Sequence, residues 1–192
     1  MAHAPSAKRK PRASYDDIVA LPEGMVGEII DGELVTHPRP APRHAFSSTT
    51  LGYFIVGPFG LGINGPGGWV ILDEPEIQFG AHTLVPDLAG WRKDRLPKLP
   101  EAGPLKVAPD WVCEVLSPST ERVDRQRKLR IYSEHQVGHV WLVDPSARTL
   151  EVLRLQQATW LLTAAHGGDD TVRAEPFDAI EINLAQMWGD TA

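Results

Sequence analysis

Cysteine is nearly absent. Cys113 stands alone among 192 residues, so no disulfide can form within the chain, and a reducing, cytoplasmic setting is the default expectation. Without a second cysteine, and with seven scattered histidines that show no paired ligand spacing, the chain offers no structural zinc site. Long apolar runs are missing too. The longest candidate, residues 51–63, is broken by Gly57, Pro58 and Gly60 and is shorter than the roughly 20 residues a membrane span requires. No N-terminal apolar segment reads as a signal peptide, and neither a Walker-type phosphate loop nor a dinucleotide fingerprint appears. Cations are in deficit, with 19 Lys and Arg against 25 acids and a formal charge of -6. That balance argues against a broad non-specific grip on nucleic acid, which needs many phosphate contacts, but it leaves room for a local basic groove.

What remains suits one domain. Residues 1–13 are small, basic and proline-containing and read as a disordered tail, with a single domain over 14–192. Ser14 is a fitting N-cap for a short helix. Two apolar runs flank Asp31-Gly32, the signature of a hairpin. A helix is expected over 43–56, with His44, Ser47 and Ser48 as its polar residues, and a Gly- and Pro-rich loop over 57–68. Extended segments follow over 69–79 and 84–91. The segment 111–117 (Trp-Val-Cys-Glu-Val-Leu-Ser) reads as a strand that is apolar on both faces. A helix is expected over about 119–135, then a short strand around Trp141 and a hairpin over 149–164, with a short helix or edge segment over 180–188. Helices interleaved with strands in this order predict a mixed α/β domain, one mixed sheet with helices packed on it.

Glu114 is the conspicuous residue. A carboxylate in the middle of a buried strand needs a cation, a metal or a hydrogen-bond network to compensate it. Two Pro-Asp pairs precede it, at Asp87 and Asp110. Asp110 is four residues from Glu114 on one strand, about 13 Å away at roughly 3.3 Å per residue, too far to share an ion. Asp87 is expected on a different strand, and neighbouring strands lie only about 5 Å apart. Asp87 and Glu114 are therefore the expected metal-binding pair. Two carboxylates holding Mg2+, with Mn2+ as substitute, suit phosphodiester hydrolysis. Lys128, on the following helix, is placed to stabilise transition-state charge, and Tyr132 shares its face at i+4. Arg122, Arg125, Arg127 and Arg130 could add a phosphate-facing patch, although charges so spaced more commonly form a solvated face. Ser117 and Ser119 read as caps, and Cys113 as a buried inert thiol.

Taken together, Pro86-Asp87, the run from Pro109 to Thr120 containing Glu-Val-Leu-Ser-Pro-Ser-Thr, then Asp124, Lys128, Tyr132, Gly138 and Trp141-Leu-Val-Asp-Pro145, with Glu28 to Leu34 and His44 before them, resemble the Uma-type family of restriction endonuclease-like proteins in the PD-(D/E)XK nuclease superfamily. The resemblance implies a restriction endonuclease-like fold, a central mixed sheet flanked by helices. It implies catalytic Asp87, Glu114 and Lys128, with Glu28 as a further acid and Tyr132 beside them. One departure is visible. The lysine of the superfamily's Glu-X-Lys motif would fall at Leu116, and Lys128 takes its place from the following helix. The expectation is a Mg2+-dependent endonuclease acting on DNA, with RNA open as an alternative substrate and no membrane partner. A homodimer would suit an enzyme that cuts both strands. The competing expectation is a catalytically inactive nucleic-acid-binding or assembly protein that keeps the fold.

Overall fold

The computed structural model describes residues 12–189. Helix α1 (Tyr15–Val19) begins at Ser14, whose backbone N–H and hydroxyl both donate to the Asp17 carboxylate. Ahead of it, the Ala13 N–H donates to the Gly32 carbonyl at 2.9 Å. The rest of the basic tail, residues 1–11, lies outside the described residues. Strands β1 (Met25–Ile30) and β2 (Glu33–Pro38) pair antiparallel around Asp31 and Gly32, whose φ values of 56° and 81° are those an Asp-Gly hairpin turn requires.

Helix α2 (Pro42–Ile55) follows, and the chain then continues helically, as a π turn over Val56–Leu61, where its glycines and proline suggest a loop. The reason is tertiary. Phe59 is buried against Phe177, ring centroids 4.7 Å apart, and that anchor outweighs weak local propensity. Ser47 is also displaced from expectation. It lies on the buried face of α2, its hydroxyl donating to the Met187 carbonyl at 2.6 Å.

The extended segments expected over 69–79 and 84–91 are each split, and their halves enter different sheets. Strands β3 (Trp69–Asp73) and β6 (Leu88–Arg92) pair with each other, whereas β4 (Ile77–Phe79) and β5 (His82–Leu84) join the first hairpin in a four-stranded sheet, β2-β1-β5-β4. Prolines at both breaks, Pro75 and Pro86, have no N–H to give to a ladder. At the second break the Val85 N–H donates instead to the Glu28 side chain at 2.8 Å. Asp87 consequently stands in the link before β6, not within a strand.

The central sheet is completed by β7 (Trp111–Val115), β8 (His139–Asp144), β9 (Thr149–Gln156) and β10 (Thr159–Gly167), in the order β10-β9-β8-β7-β6-β3. Only β7 and β8 run parallel, so this central sheet is mixed as expected, but it is not the one sheet of the fold, since the first hairpin with β4 and β5 forms a separate sheet. Their crossover carries one continuous helical run over 121–134, made of α3 (Glu121–Val123), a π turn over Asp124–Lys128 and α4 (Leu129–Glu134). A two-stranded ribbon, β11 (Thr171–Val172) with β12 (Ile182–Asn183), and a 3-10 turn over Leu184–Met187 close the described chain. Among the described residues no helix is long and apolar enough to cross a membrane.

Strand β7 separates two cores, because successive side chains on a strand point to opposite faces. Trp111, Cys113 and Val115 pack with Leu51 and Ile55 of α2 and with Phe177 and Trp188. Val112 and, just past the strand, Leu116 face the other way, onto Ile131 and Tyr132 of α4 and onto Ile30 and Phe79 of the smaller sheet. Glu114 sits between those two apolar residues on the second face. Its position is what gives the fold a site.

Candidate metal and phosphate site

Glu114 is 2% exposed, and the structure surrounds it with partners. The Tyr132 hydroxyl donates to its Oε1 at 2.5 Å, and Lys128 Nζ donates to its Oε2 at 3.2 Å. Lys128 is itself 4% exposed and reaches two more carboxylates, Glu28 Oε1 at 3.0 Å and Asp124 Oδ1 at 3.1 Å. One ammonium thus faces three buried acids drawn from β1, β7 and the π turn. Glu28 is fixed in place by the Val85 N–H and by His37, whose Nε2 is 3.7 Å from Oε2.

Asp87 joins them from the neighbouring segment. Leu88 pairs with Cys113, so the antiparallel register carried one residue further sets Asp87 opposite Glu114. The Asp87 Oδ2 accepts from the Val115 N–H at 2.6 Å, and its Oδ1 is 3.3 Å from His44 Nε2. Asp87, Glu114, Asp124 and Lys128 line one cavity of about 250 Å³, together with His37 and His44. Tyr132 is behind Glu114 and lines none of it. Asp110 lies elsewhere, at the entrance to β7, where its carboxylate pairs with Arg95 at 2.5 Å and accepts from the Arg92 N–H at 2.8 Å.

The electrostatics follow from this crowding. Burial pushes the Glu114 carboxyl well above the usual range; Lys128 pulls it back, but Asp124, Asp87 and Glu28 push the same way as burial. Burial also raises Asp124. For Glu28 burial is outweighed by Lys128, His37 and the Val85 N–H, and its carboxyl is held below the usual range. Burial works against the Lys128 ammonium, yet its three acids hold it charged and push its pKa up. His44 is likewise raised, because Asp87 outweighs its burial. Cys113 is inert by the same physics, its thiol pushed well up by burial.

The donors are carboxylate oxygens, which suit hard cations. Among the described residues no three His, Cys, Asp or Glu side chains converge on a point, so a closed all-protein cage is not available. Two carboxylates set opposite each other beside a cavity suit Mg2+, which takes one or two carboxylates and fills its remaining positions with water and phosphate oxygens. The surplus of acid in the site points the same way.

Three of the four helix arginines are taken up by acids, and the fourth, Arg122, is exposed beside Gln126 and does not line the cavity, so the four make no common phosphate-facing patch there. Arg125 forks onto Glu151 at 2.7 and 2.9 Å and also reaches Glu121. Arg127 bonds Asp31, Glu33 and the Ile30 carbonyl, and Arg130 bonds Asp31 and Glu134. The bonds of Arg127 and Arg130 to Asp31 clamp the crossover helix onto the first hairpin. Partial burial pushes the Asp31 carboxyl up, but Arg130 and Arg127 outweigh it and hold it below the usual range. A depressed carboxyl contributes stability that is present above its unfolded value, near pH 4, and is lost as pH falls through the folded value. Asn tolerates the positive φ at this turn. Asp31→Asn should therefore lower the urea midpoint at pH 7 and converge with wild type in acid; a difference that stays constant from pH 7 to pH 2 would refute the assignment.

Sequence reasoning brings forward Asp87, Glu114, Lys128, Glu28 and Tyr132, and the structure gathers all five around the cavity or directly behind it. From the sequence His44, at the start of its helix, could be a site residue or a surface cap; Asp124 enters only among the residues of the resemblance, and His37 not at all. Asp124 carries a signal, the i, i+4, i+8 spacing with Lys128 and Tyr132; His37, at the end of β2, carries none.

Comparison with known proteins agrees with the architecture. A crystal structure of a putative nuclease belonging to DUF820 from Anabaena variabilis superposes with a TM-score of 0.72 at 22% identity, covering 92% of this chain and 97% of that one. The fold is thus restriction endonuclease-like. No curated protein is significantly similar to the chain. A family model described as "Putative restriction endonuclease" matches residues 15–185, which takes in α1, both sheets and every residue of the cavity. With so much of its length matched, the chain belongs to the Uma2 family.

Proposed function

We propose that the protein is a Mg2+-dependent nuclease that hydrolyses phosphodiester bonds in DNA. The observation that carries this reading is the acidic surplus. Asp87, Glu114 and Asp124 line one cavity, Glu28 joins them through its ion pair with Lys128, and that lysine is the single ammonium among the four. Buried like charges of this kind are costly unless a cation compensates them. Asp87 and Glu114, opposite each other across the strand register, would hold the ion. Bound there, Mg2+ supplies Lewis-acid charge to a phosphodiester and makes water a better nucleophile.

The protein's own residues have separable tasks. Tyr132 fixes the rotamer of Glu114, while the Val115 N–H and His44 fix Asp87. Lys128 lines the cavity and sets a permanent positive charge where a phosphate would gain negative charge. Its burial among three acids also gives the inactive reading one supporting observation, since a lysine so placed could serve only as a counter-ion. That reading predicts metal binding without cleavage.

Titrating Mn2+ into the full chain by calorimetry is expected to show one ion bound per chain. Asp87→Asn should weaken binding by more than roughly tenfold, the low end of what even outer-shell partners contribute. Absence of binding heat, with no shift of the unfolding temperature by Mn2+, would sink the metal reading. Cleavage of a DNA duplex in Mg2+, abolished by EDTA, separates the enzyme from the inactive alternative.

A further inference from the structure

A nucleic acid approaching this cavity meets an obstacle. The site is acidic, the chain carries a formal charge of -6, and four cations of the crossover helix are paired with acids. Lys128 is neutralised by three carboxylates, and Arg125, Arg127 and Arg130 are bound to acids away from the cavity. Among the described residues one arginine lines the cavity, Arg39. It is exposed and shares the cavity lining with Glu74, whose carboxyl burial, Asp73 and Asp87 push up, with Arg39 opposing them.

The backbone that carries Arg39 is unusually stiff. It lies in Pro38-Arg39-Pro40-Ala41-Pro42, the link between the end of β2 and the start of α2. Each proline fixes its own φ and biases the residue before it to extended backbone. Ala41, at φ -65° and ψ 155°, has the polyproline conformation this predicts. Backbone held on such a strap is ordered before any ligand arrives, which lowers that part of the ordering cost of binding and leaves only the Arg39 side chain to be fixed. Its planar donors suit a phosphate oxygen pair.

We infer that Arg39 is a phosphate-binding residue at the mouth of the cavity, gripping the DNA backbone beside the phosphodiester that enters it. The inference rests on the nuclease reading above and adds the contact that brings a polyanion to an acidic site. Because it reads backbone and not bases, Arg39 supplies affinity without sequence preference.

The test separates binding from chemistry. In the Glu114→Gln background, binding of a fluorescent DNA duplex is followed by anisotropy across a salt series. Arg39→Ala is expected to weaken binding roughly tenfold for every sequence tried, and to lower the slope of log K against log salt by about one phosphate contact. Arg39→Lys should restore the slope, and Arg122→Ala, off the cavity, should leave it unchanged. Thermal stability should hold in Arg39→Ala, since an exposed side chain at the rim of a cavity buries little on folding. An unchanged slope in Arg39→Ala, or an equal loss in Arg122→Ala, overturns the inference while leaving the nuclease reading intact. No DNA binding by either protein, with or without Mn2+, overturns both.

Discussion

Glu114→Gln is expected to reduce Mg2+-dependent cleavage of DNA by at least about 10²–10³-fold, the loss seen when one group that stabilises a transition state is removed. Asp87→Asn should do the same. Both exchanges remove charge and keep shape. In the first, the new amide would still offer its oxygen to Lys128 or to the Tyr132 hydroxyl; in the second, the amide oxygen would still accept from the Val115 N–H. Each variant also relieves a cluster in which acids outnumber the buried ammonium. Stability in EDTA should therefore be equal to wild type or higher, so that activity falls while the unfolding midpoint holds or rises. That opposite movement is the trade expected of residues kept for function at the expense of the fold. Equal cleavage by wild type and both variants, after contaminating nucleases are removed, would end the enzymatic reading. A loss of activity accompanied by a loss of fold would show that the acids are structural.

The site is legible in the sequence where chemistry is local or where a strand ladder fixes distance. Glu114 stands out because its neighbours Cys113 and Val115 are apolar, and the spacing of about 5 Å between strands favours Asp87 over Asp110. The Asp31-Gly32 turn is readable because so few residues accept positive φ twice in succession. What escapes depends on contacts between distant segments. Arg127 and Arg130 look like a solvent-facing or phosphate-facing series until the hairpin around Asp31, far earlier in the chain, folds against them. The break at Pro86 is visible, but its consequence is not: the Val85 N–H is taken by Glu28, while β5 enters a second sheet and Asp87 is left in a link. Ser47 reads as polar and proves buried because the Met187 carbonyl accepts from its hydroxyl. In each case a long-range partner reverses a local preference.

Lys128→Met carries the second large effect, and it is mainly on the fold. Methionine is close in volume and removes the charge, leaving Glu28, Glu114 and Asp124 facing one another without their shared counter-ion. Removing one partner of a buried ion pair costs about 3–5 kcal/mol, because the charges left behind remain desolvated. A drop of that size should appear in the urea unfolding free energy in EDTA. Adding Glu28→Gln supplies the control. Glutamine keeps an acceptor for the Val85 N–H while deleting one of the three negative charges. Coupling between residues in such contact is about 0.5–3 kcal/mol, so the double variant should recover part of the loss. Full additivity would mean that Lys128 and Glu28 do not compensate each other, contrary to their 3.0 Å separation. The same double variant distinguishes the two roles open to the lysine. If it folds, binds Mn2+ and fails to cut where Glu28→Gln alone still cuts, Lys128 acts on the reacting phosphate. If it folds and cuts at the rate of Glu28→Gln alone, Lys128 is a counter-ion and the transition-state charge must be met by other groups.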